Sequence, residues 1–179
     1  MARVSYINGD GRPELGELVG RIRGARRGSL IKLYQLLLHS PALAESWLDH
    51  NNAVRWKTEL SGRLRELVII RVAHLNGATY VFRQHVPELA LAEGLTRAEC
   101  DAITDWPNAD AFSPAERAAL AYADAMTLKV AVSDAVFDAL KVHFNERQIV
   151  ELTVLIGTYN MQTRVLCALQ IDPEAHHAP

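Results

Sequence analysis

The chain has 179 residues, a formal net charge of −2 at pH 7, and 19 basic against 21 acidic side chains. Without a basic surplus, a nucleic-acid-binding protein is not expected. No run of apolar residues approaches the length of a membrane span, and the first ten residues lack the apolar core of a signal peptide. The composition, with 49% hydrophobic residues, is typical of a soluble globular protein, so we expect a cytoplasmic chain that does not bind membranes.

Apolar residues recur at spacings of three and four from about residue 14 to residue 171, and strand-like alternation is nearly absent. This pattern predicts an all-α protein, a helical bundle of seven or eight helices. Helix starts are marked by cap residues, several followed by a proline or by a glutamate three positions later: Ser40-Pro41, Ser61, Thr96 with Glu99, and Ser113-Pro114.

The length suits a single domain over residues 1–179. We expect its core within residues 29–171 and a flexible tail at residues 172–179, which includes His176 and His177.

Two of the predicted helices have unusual features. The helix from residue 78 to about residue 93 contains Pro87, which predicts a kink or a new first turn there. The last helix, from about residue 146 to 169, is apolar nearly all round and must be covered on every side. In a chain this small we expect much of that cover to come from another subunit, so we predict a homo-oligomer.

Several common site motifs are missing from the sequence. It has no Gly-rich phosphate loop, no Gly-x-Ser-x-Gly, no His-Glu-x-x-His and no Cys-x-x-Cys. Its two cysteines, Cys100 and Cys167, are far apart and indicate neither a disulfide framework nor a zinc site. His74, His85 and His143 lack the spacing of metal ligands on one helix face. We therefore expect no metal and no cofactor.

Two titratable residues on neighbouring predicted helices could form a proton-transfer pair. Glu66 lies within the predicted helix 61–75, and His85 lies on the next helix. If the two helices pack antiparallel about the Asn76-Gly77 turn, the side chains lie at similar depth and can face each other. A carboxylate beside an imidazole in an apolar pocket suits acid–base chemistry. From spacing alone, the alternative is a surface ion pair for Glu66 and a structural role for His85.

Residues 60–96 combine Glu66 within an Arg-Glu-Leu helix, an Asn-Gly turn, His85 and a helix ending in Gly-Leu-Thr. This combination resembles the carboxymuconolactone decarboxylase family, whose superfamily also contains the alkylhydroperoxidase D-type (AhpD-like) proteins. Residues 37–44 and 159–161 are similar to the longer, two-part members. The resemblance implies an AhpD-like all-α fold and a homo-oligomer that is a trimer, a hexamer or dimer-based.

In the peroxidase branch of this superfamily, a Cys-x-x-Cys pair lies between the glutamate and the histidine. The two cysteine positions fall on Ala78 and Val81 in this chain. Peroxide reduction of that type needs a thiolate and a resolving thiol, so we expect no alkylhydroperoxidase or peroxiredoxin-type activity. A peroxidase that uses Cys100 or Cys167 is the weakest alternative.

The resemblance implies a lyase instead, which performs cofactor-free decarboxylation or proton transfer on a small carboxylated or lactone substrate. In this hypothesis His85 is the acid/base, and Glu66 orients it or relays a proton. Such a reaction also needs a cation that holds the anionic substrate. The candidate substrate-binding residues are Arg83, Tyr80, Arg71 and Tyr159, with Arg164 as a further arginine.

The alternative hypothesis is a non-redox family member that binds a ligand or serves as a structural oligomer. An enzyme is expected to hold Glu66 and His85 within hydrogen-bond reach beside a basic group. In a protein that has lost its chemistry, Val81, Phe82 and neighbouring leucines would fill the space.

Overall fold

The computed structural model describes residues 1–174. These residues form nine α-helices and no β-strand, which confirms the all-α class. The helices are α1 (Gly16–Ala25), α2 (Lys32–Leu37), α3 (Pro41–Trp56), α4 (Gly62–Leu75), α5 (Thr79–Gln84), α6 (Arg97–Ala102), α7 (Pro114–Lys129), α8 (Asp134–Lys141) and α9 (Glu146–Leu169). The number exceeds the predicted seven or eight, and α2, α5 and α6 span only six residues each.

Helix α4 lies at the centre of the bundle. Its residues from Leu64 to Ala73 are all buried, including the charged Arg65, Glu66 and Arg71. One side of α4, with Val68 and Ile69, packs into the main hydrophobic cluster together with α9. Another side, with Leu67 and Ile70, packs into a second cluster formed with residues that follow α5. The polar side chains between Leu64 and Ala73, those of Arg65, Glu66 and Arg71, therefore lie in the protein interior.

Caps fix several helix starts where the sequence predicts them. The Ser61 side chain accepts a hydrogen bond from the Leu64 backbone N–H at 3.2 Å, at the start of α4. Thr96 and Ser113 each form a reciprocal capping box with the glutamate three residues later, at the starts of α6 and α7. These contacts satisfy backbone donors that a helix start otherwise leaves unpaired.

The structure corrects the prediction for Pro87. Instead of a kink or a new first turn, the chain continues from α5 into a π-helical segment, His85–Ala90. Proline has no N–H and its ring clashes with the preceding turn, so the wider π-type turn accommodates it within a continuing helix. His85 is the first residue of this segment.

Residues near both ends of the described chain join the body of the molecule. A third hydrophobic cluster, with Leu15 and Ile22 of the N-terminal region, packs around Tyr34, so apolar packing extends to residues before the predicted core. The Asp172 carboxylate accepts hydrogen bonds from the Ala2 backbone N–H and from the Tyr6 hydroxyl, both at 3.1 Å.

Glu174 accepts a hydrogen bond from the Lys32 backbone N–H at 2.7 Å. Residues 172–174 thus make specific contacts, although the sequence predicts a flexible tail from residue 172 onwards. Residues 175–179, with His176 and His177, lie outside the described residues. None of the helices in the described chain is long and apolar enough to span a lipid bilayer.

Candidate active site

The turn between α4 and α5 brings Glu66 and His85 together. Asn76 ends α4, and Gly77 adopts a positive φ of 63°, a conformation open to glycine at little cost. The chain reverses there, and Glu66 and His85 face each other in the interior. Nδ1 of His85 lies 2.6 Å from Oε2 of Glu66, and both side chains are buried.

The other carboxylate oxygen of Glu66 faces two arginines. Arg55 Nη2 donates to Glu66 Oε1 at 3.1 Å, and Arg65 Nε lies 3.8 Å from the same oxygen. Their side chains are only 12% and 6% exposed. Arg55 Nη1 also donates to the Tyr159 hydroxyl at 3.3 Å. The Tyr159 ring packs edge-on against the His85 imidazole, with 5.7 Å between ring centroids. A carboxylate, an imidazole, two guanidiniums and a phenol therefore form one buried cluster.

The surroundings set the protonation states of the pair. Burial opposes ionisation of Glu66, but His85 and the two arginines outweigh it and lower the pKa of the carboxyl. Burial is also the main reason why the pKa of His85 falls below its ordinary 6.5, while Glu66 acts against that change. At neutral pH the pair is therefore a carboxylate and a neutral imidazole.

The hydrogen bond then determines the tautomer. A carboxylate can only accept, so the proton of His85 lies on Nδ1 and the lone pair remains on Nε2. Chemically, Nε2 is a base held in place by Glu66.

Two partly exposed residues lie against the arginines. The Trp56 ring is centred 4.9 Å from Cζ of Arg55 and 5.0 Å from Cζ of Arg65, within cation–π range, and Trp56 is 56% exposed. Arg65 Nη2 donates to Glu93 Oε1 at 2.7 Å, and the Glu93 side chain is 34% exposed. Trp56 and Glu93 are therefore the members of the cluster nearest to solvent.

Of the predicted substrate-binding residues, the structure brings only Tyr159 into contact with the pair. Arg71 forms a two-bond ion pair with Asp124, at 2.6 and 2.8 Å, and donates to the backbone oxygens of Ile103 and Thr104. These bonds tie α4 to α7 and to the segment after α6. All three nitrogens of the Arg71 guanidinium therefore donate to structural partners, and none of these is His85.

Tyr80 also points elsewhere. Its buried hydroxyl donates to the Glu174 carboxylate, and burial raises the pKa of the phenol. Arg83 lies exposed on α5, and within residues 1–174 its guanidinium forms no hydrogen bond or ion pair. Arg164 donates to the backbone and side-chain oxygens of Asn160 on its own helix.

Asn160 also forms hydrogen bonds that connect helices rather than contacts with the Glu66–His85 pair. Its amide donates to Thr127 of α7, and its side-chain oxygen accepts from Asn76 at the turn after α4. This network fixes the turn that brings Glu66 and His85 together.

The positions that carry cysteines in the peroxidase branch hold buried Ala78 and Val81. Cys100 is buried in the second hydrophobic cluster, and burial raises the pKa of its thiol. Cys167 is exposed on α9 and is not bonded to Cys100. Within residues 1–174, no group of three or more His, Cys, Asp or Glu is arranged to hold a metal ion.

The sequence did not predict four members of the cluster: Arg55, Trp56, Glu93 and, as a site residue, Arg65. Arg65 directly precedes Glu66, and this adjacency was the only available signal for it. Arg55 and Trp56 end α3, and no spacing rule connects the end of one helix with the interior of the next.

Comparisons with known proteins agree with this architecture. Residues 41–125, which include Glu66 and His85, match the sequence model of the carboxymuconolactone decarboxylase family. The uncharacterized protein YnjA of Escherichia coli (strain K12) is 32% identical over 130 residues, which cover 72% of this chain and 68% of YnjA.

Solved structures show the same fold. An uncharacterized peroxidase-related protein from Silicibacter sp. TM1040 aligns with a TM-score of 0.84 and 19% identity, over 98% of this chain and 93% of its own. A cysteine-to-alanine variant of the debrominase Bmp8, in complex with 2,3,4-tribromopyrrole, aligns with a TM-score of 0.82 and 20% identity, over 98% and 95%. With the family model and the relative in agreement, the chain belongs to the carboxymuconolactone decarboxylase family.

Proposed function

We propose that this protein is a cofactor-free enzyme in which His85 transfers protons during decarboxylation or isomerisation of a small carboxylated or lactone substrate. The observation that carries the proposal is the buried 2.6 Å hydrogen bond between Glu66 and His85, with Arg55 and Arg65 on the second oxygen of Glu66. Acid–base catalysis needs a base of fixed orientation and defined protonation state, and this arrangement supplies both.

The proton transfers follow from the protonation states of the pair. Neutral His85 accepts a proton at Nε2, from water or from a carbon of the substrate, and becomes an imidazolium that the Glu66 carboxylate stabilises. In a decarboxylation, the bond between the substrate and its carboxyl group breaks, CO₂ leaves, and the electron pair stays on the substrate carbon. The imidazolium then delivers its proton to that carbon. Arg55 and Arg65 keep Glu66 ionised and place positive charge near the negative charge that develops.

The test is turnover of a panel of lactone acids, carboxymuconolactone included, followed by CO₂ release and by ultraviolet absorbance. We expect His85→Gln to lower kcat/KM by about 10²–10⁴-fold, the usual contribution of a general acid/base. His143→Gln, which changes an exposed histidine, is the matched control and keeps the wild-type rate. Full activity of His85→Gln, or no turnover of any acid in the panel by the wild type, contradicts the proposal.

The pH profile tests the role of the pair independently. Where His85 first removes a proton from a substrate carbon, its neutral form is the reactive one. Because the pKa of His85 lies below 6.5, kcat/KM for such a substrate should fall only as the pH drops below 6.5, whereas a decarboxylation, in which the imidazolium donates, should gain rate over that range. Glu66 raises the pKa of His85, so Glu66→Gln should move this acid limb to still lower pH as well as reduce the rate. An acid limb at or above pH 6.5 would exclude His85 as the base.

The second candidate function is a ligand-binding or structural oligomer without catalysis. The deep burial of His85 and Tyr159 favours it, because a packed interior leaves little room for a substrate. In that case His85→Gln changes the stability of the protein, and no acid of the panel is consumed. Thiol-dependent peroxide reduction stays disfavoured, since alanine and valine occupy both redox-cysteine positions.

A further inference from the structure

Within the described part of the chain, each of the two arginines of the site has one buried N–H group without a hydrogen-bond acceptor. Nε of Arg55 and Nε of Arg65 are both buried and have no hydrogen-bond acceptor within residues 1–174. Both guanidiniums approach a single oxygen of Glu66, whose other oxygen is bonded to His85. A buried charged donor without an acceptor is costly, so the cluster favours an additional negatively charged group.

Glu93 supplies part of that charge from the solvent side. It follows the helix that contains His85, and its carboxylate binds Arg65 Nη2 at 2.7 Å. The carboxylate also fits against Gly62, at the start of α4, where a Cβ atom would overlap it. The fold thus leaves a carboxylate-sized space beside Arg65. Because the Glu93 side chain is 34% exposed, it can turn to solvent when another carboxylate takes over its bond to the buried Arg65.

Trp56 forms a flat apolar surface next to this position. Its ring lies against both guanidiniums, and the residue is more than half exposed. A ligand that placed a carboxylate in the space of Glu93 could stack a planar group on the indole. The same ligand would lie beside Arg55 and Arg65, and so next to the Glu66–His85 pair.

We propose that Arg65, Arg55 and Trp56 bind the carboxylate and the planar body of an unsaturated or aromatic acid. In the free protein, Glu93 occupies the carboxylate position. This inference names the substrate class of the proposed enzyme and rests on the proposed function. It also reassigns the anion-binding role from Arg71 and Arg83 to arginines whose donors face the pair.

The test is binding of benzoate to the purified protein, compared with neutral benzamide, by calorimetry and by the indole N–H signals in NMR spectra. Trp56→Phe assigns the Trp56 signal among the three tryptophans. We expect benzoate to bind with a dissociation constant on the order of 1 mM, as for a small fragment, and to shift the Trp56 signal. Benzamide should bind about tenfold more weakly or not at all, because it lacks the charge.

Two substitutions change the site in opposite directions. Glu93→Gln removes the competing charge and should raise benzoate affinity by about fivefold or more. Arg65→Met should lower it by about tenfold or more. Arg97→Gln, which alters an exposed arginine paired with Asp101, is the control and should bind like the wild type. Glu93→Gln keeps the test decisive if Arg65→Met does not fold.

Three results overturn the proposal. They are equal binding of benzamide and benzoate, an unchanged benzoate affinity in Glu93→Gln, and no benzoate binding to either the wild type or Glu93→Gln. His85→Gln separates this outcome from failure of the proposed function. If benzoate binds to wild type and to His85→Gln alike but no acid is turned over, the anion site stands and the enzymatic proposal fails. If acids are turned over without dependence on Arg65 or Glu93, the enzymatic proposal stands and the anion site fails.

Discussion

At the scale of single residues, Glu66 holds the site together. One oxygen accepts from His85 and the other faces Arg55 and Arg65, all within the interior. No other group in this cluster neutralises both arginines at once, since Glu93 reaches only Arg65. The stability of the fold should therefore depend strongly on the charge of Glu66.

Glu66→Gln should lower the free energy of unfolding by about 3–5 kcal/mol, the usual cost when a buried ion pair loses one partner. Urea denaturation followed by circular dichroism measures this change. The matched control is Glu88→Gln, which removes an exposed carboxylate paired with exposed Arg27 and should cost no more than about 0.5 kcal/mol. A Glu66→Gln variant as stable as Glu88→Gln would show that the buried charges are hydrated or displaced in solution.

The residues of this cluster differ in how far the sequence could predict them. Glu66 and His85 could be paired because a short turn connects their helices, so their relative depth follows from residue counting. Arg55 comes from α3, and its approach depends on how α3 packs on α9, which local patterns do not specify. Arg71 lies in the same apolar helix as Glu66, so its sequence position is compatible with a role in the site. Its actual partner is Asp124, which is far away in sequence and could not be predicted from local patterns.

At the scale of helices and their ends, Arg63 connects three helix starts. From the first turn of α4, its Nε bonds to Glu116 at 2.7 Å and its Nη2 to Glu99 at 2.5 Å. Glu99 and Glu116 are the capping-box residues of α6 and α7. The hydrogen bond from Arg63 is the main reason why the pKa of Glu99 falls from 4.5 to about 2.

Arg63→Met should lower the free energy of unfolding at pH 7 by about 2 kcal/mol, because two half-buried charge-assisted contacts are lost. The depressed pKa of Glu99 stabilises the wild type fully above pH 4.5, and this stabilisation is lost as the pH falls towards about 2. The variant should therefore lose less stability than the wild type over that pH range. Lys141→Gln, at an exposed ion pair with Asp138, is the control for urea titrations at each pH. Equal acid sensitivity of Arg63→Met and wild type contradicts this role.

The helix starts were predictable because a cap and its glutamate lie within four residues of each other, as at Thr96 and Ser113. The lengths of the short helices and the π-helical segment were not. Six residues hold less than two turns, too few for periodicity to specify where a helix ends. A proline such as Pro87 identifies a disturbed helix without specifying whether the chain bends or widens.

At the scale of the whole molecule, α9 has two different faces. One face, with Leu152 and Leu155, is fully buried against α4 and its neighbours. The opposite face exposes Val150, Val154 and Met161. Exposed apolar side chains in a row on a long helix are unusual for the surface of a monomer. The sequence predicts that another subunit covers this helix, and the exposed face identifies where that contact should form.

We expect the protein to be a homo-oligomer in solution and Val154→Glu to weaken the assembly, because a carboxylate in an apolar contact loses its hydration. Size-exclusion chromatography with light scattering measures the mass. The wild type should have at least twice the 19.9 kDa mass of one chain, and the mass of the variant should shift towards that of a single chain. Val142→Glu makes the same change at an exposed valine after α8 that is not part of this face, and should keep the wild-type mass. A monomeric wild type contradicts the expected oligomer, whereas an oligomer that Val154→Glu leaves intact assembles through another surface.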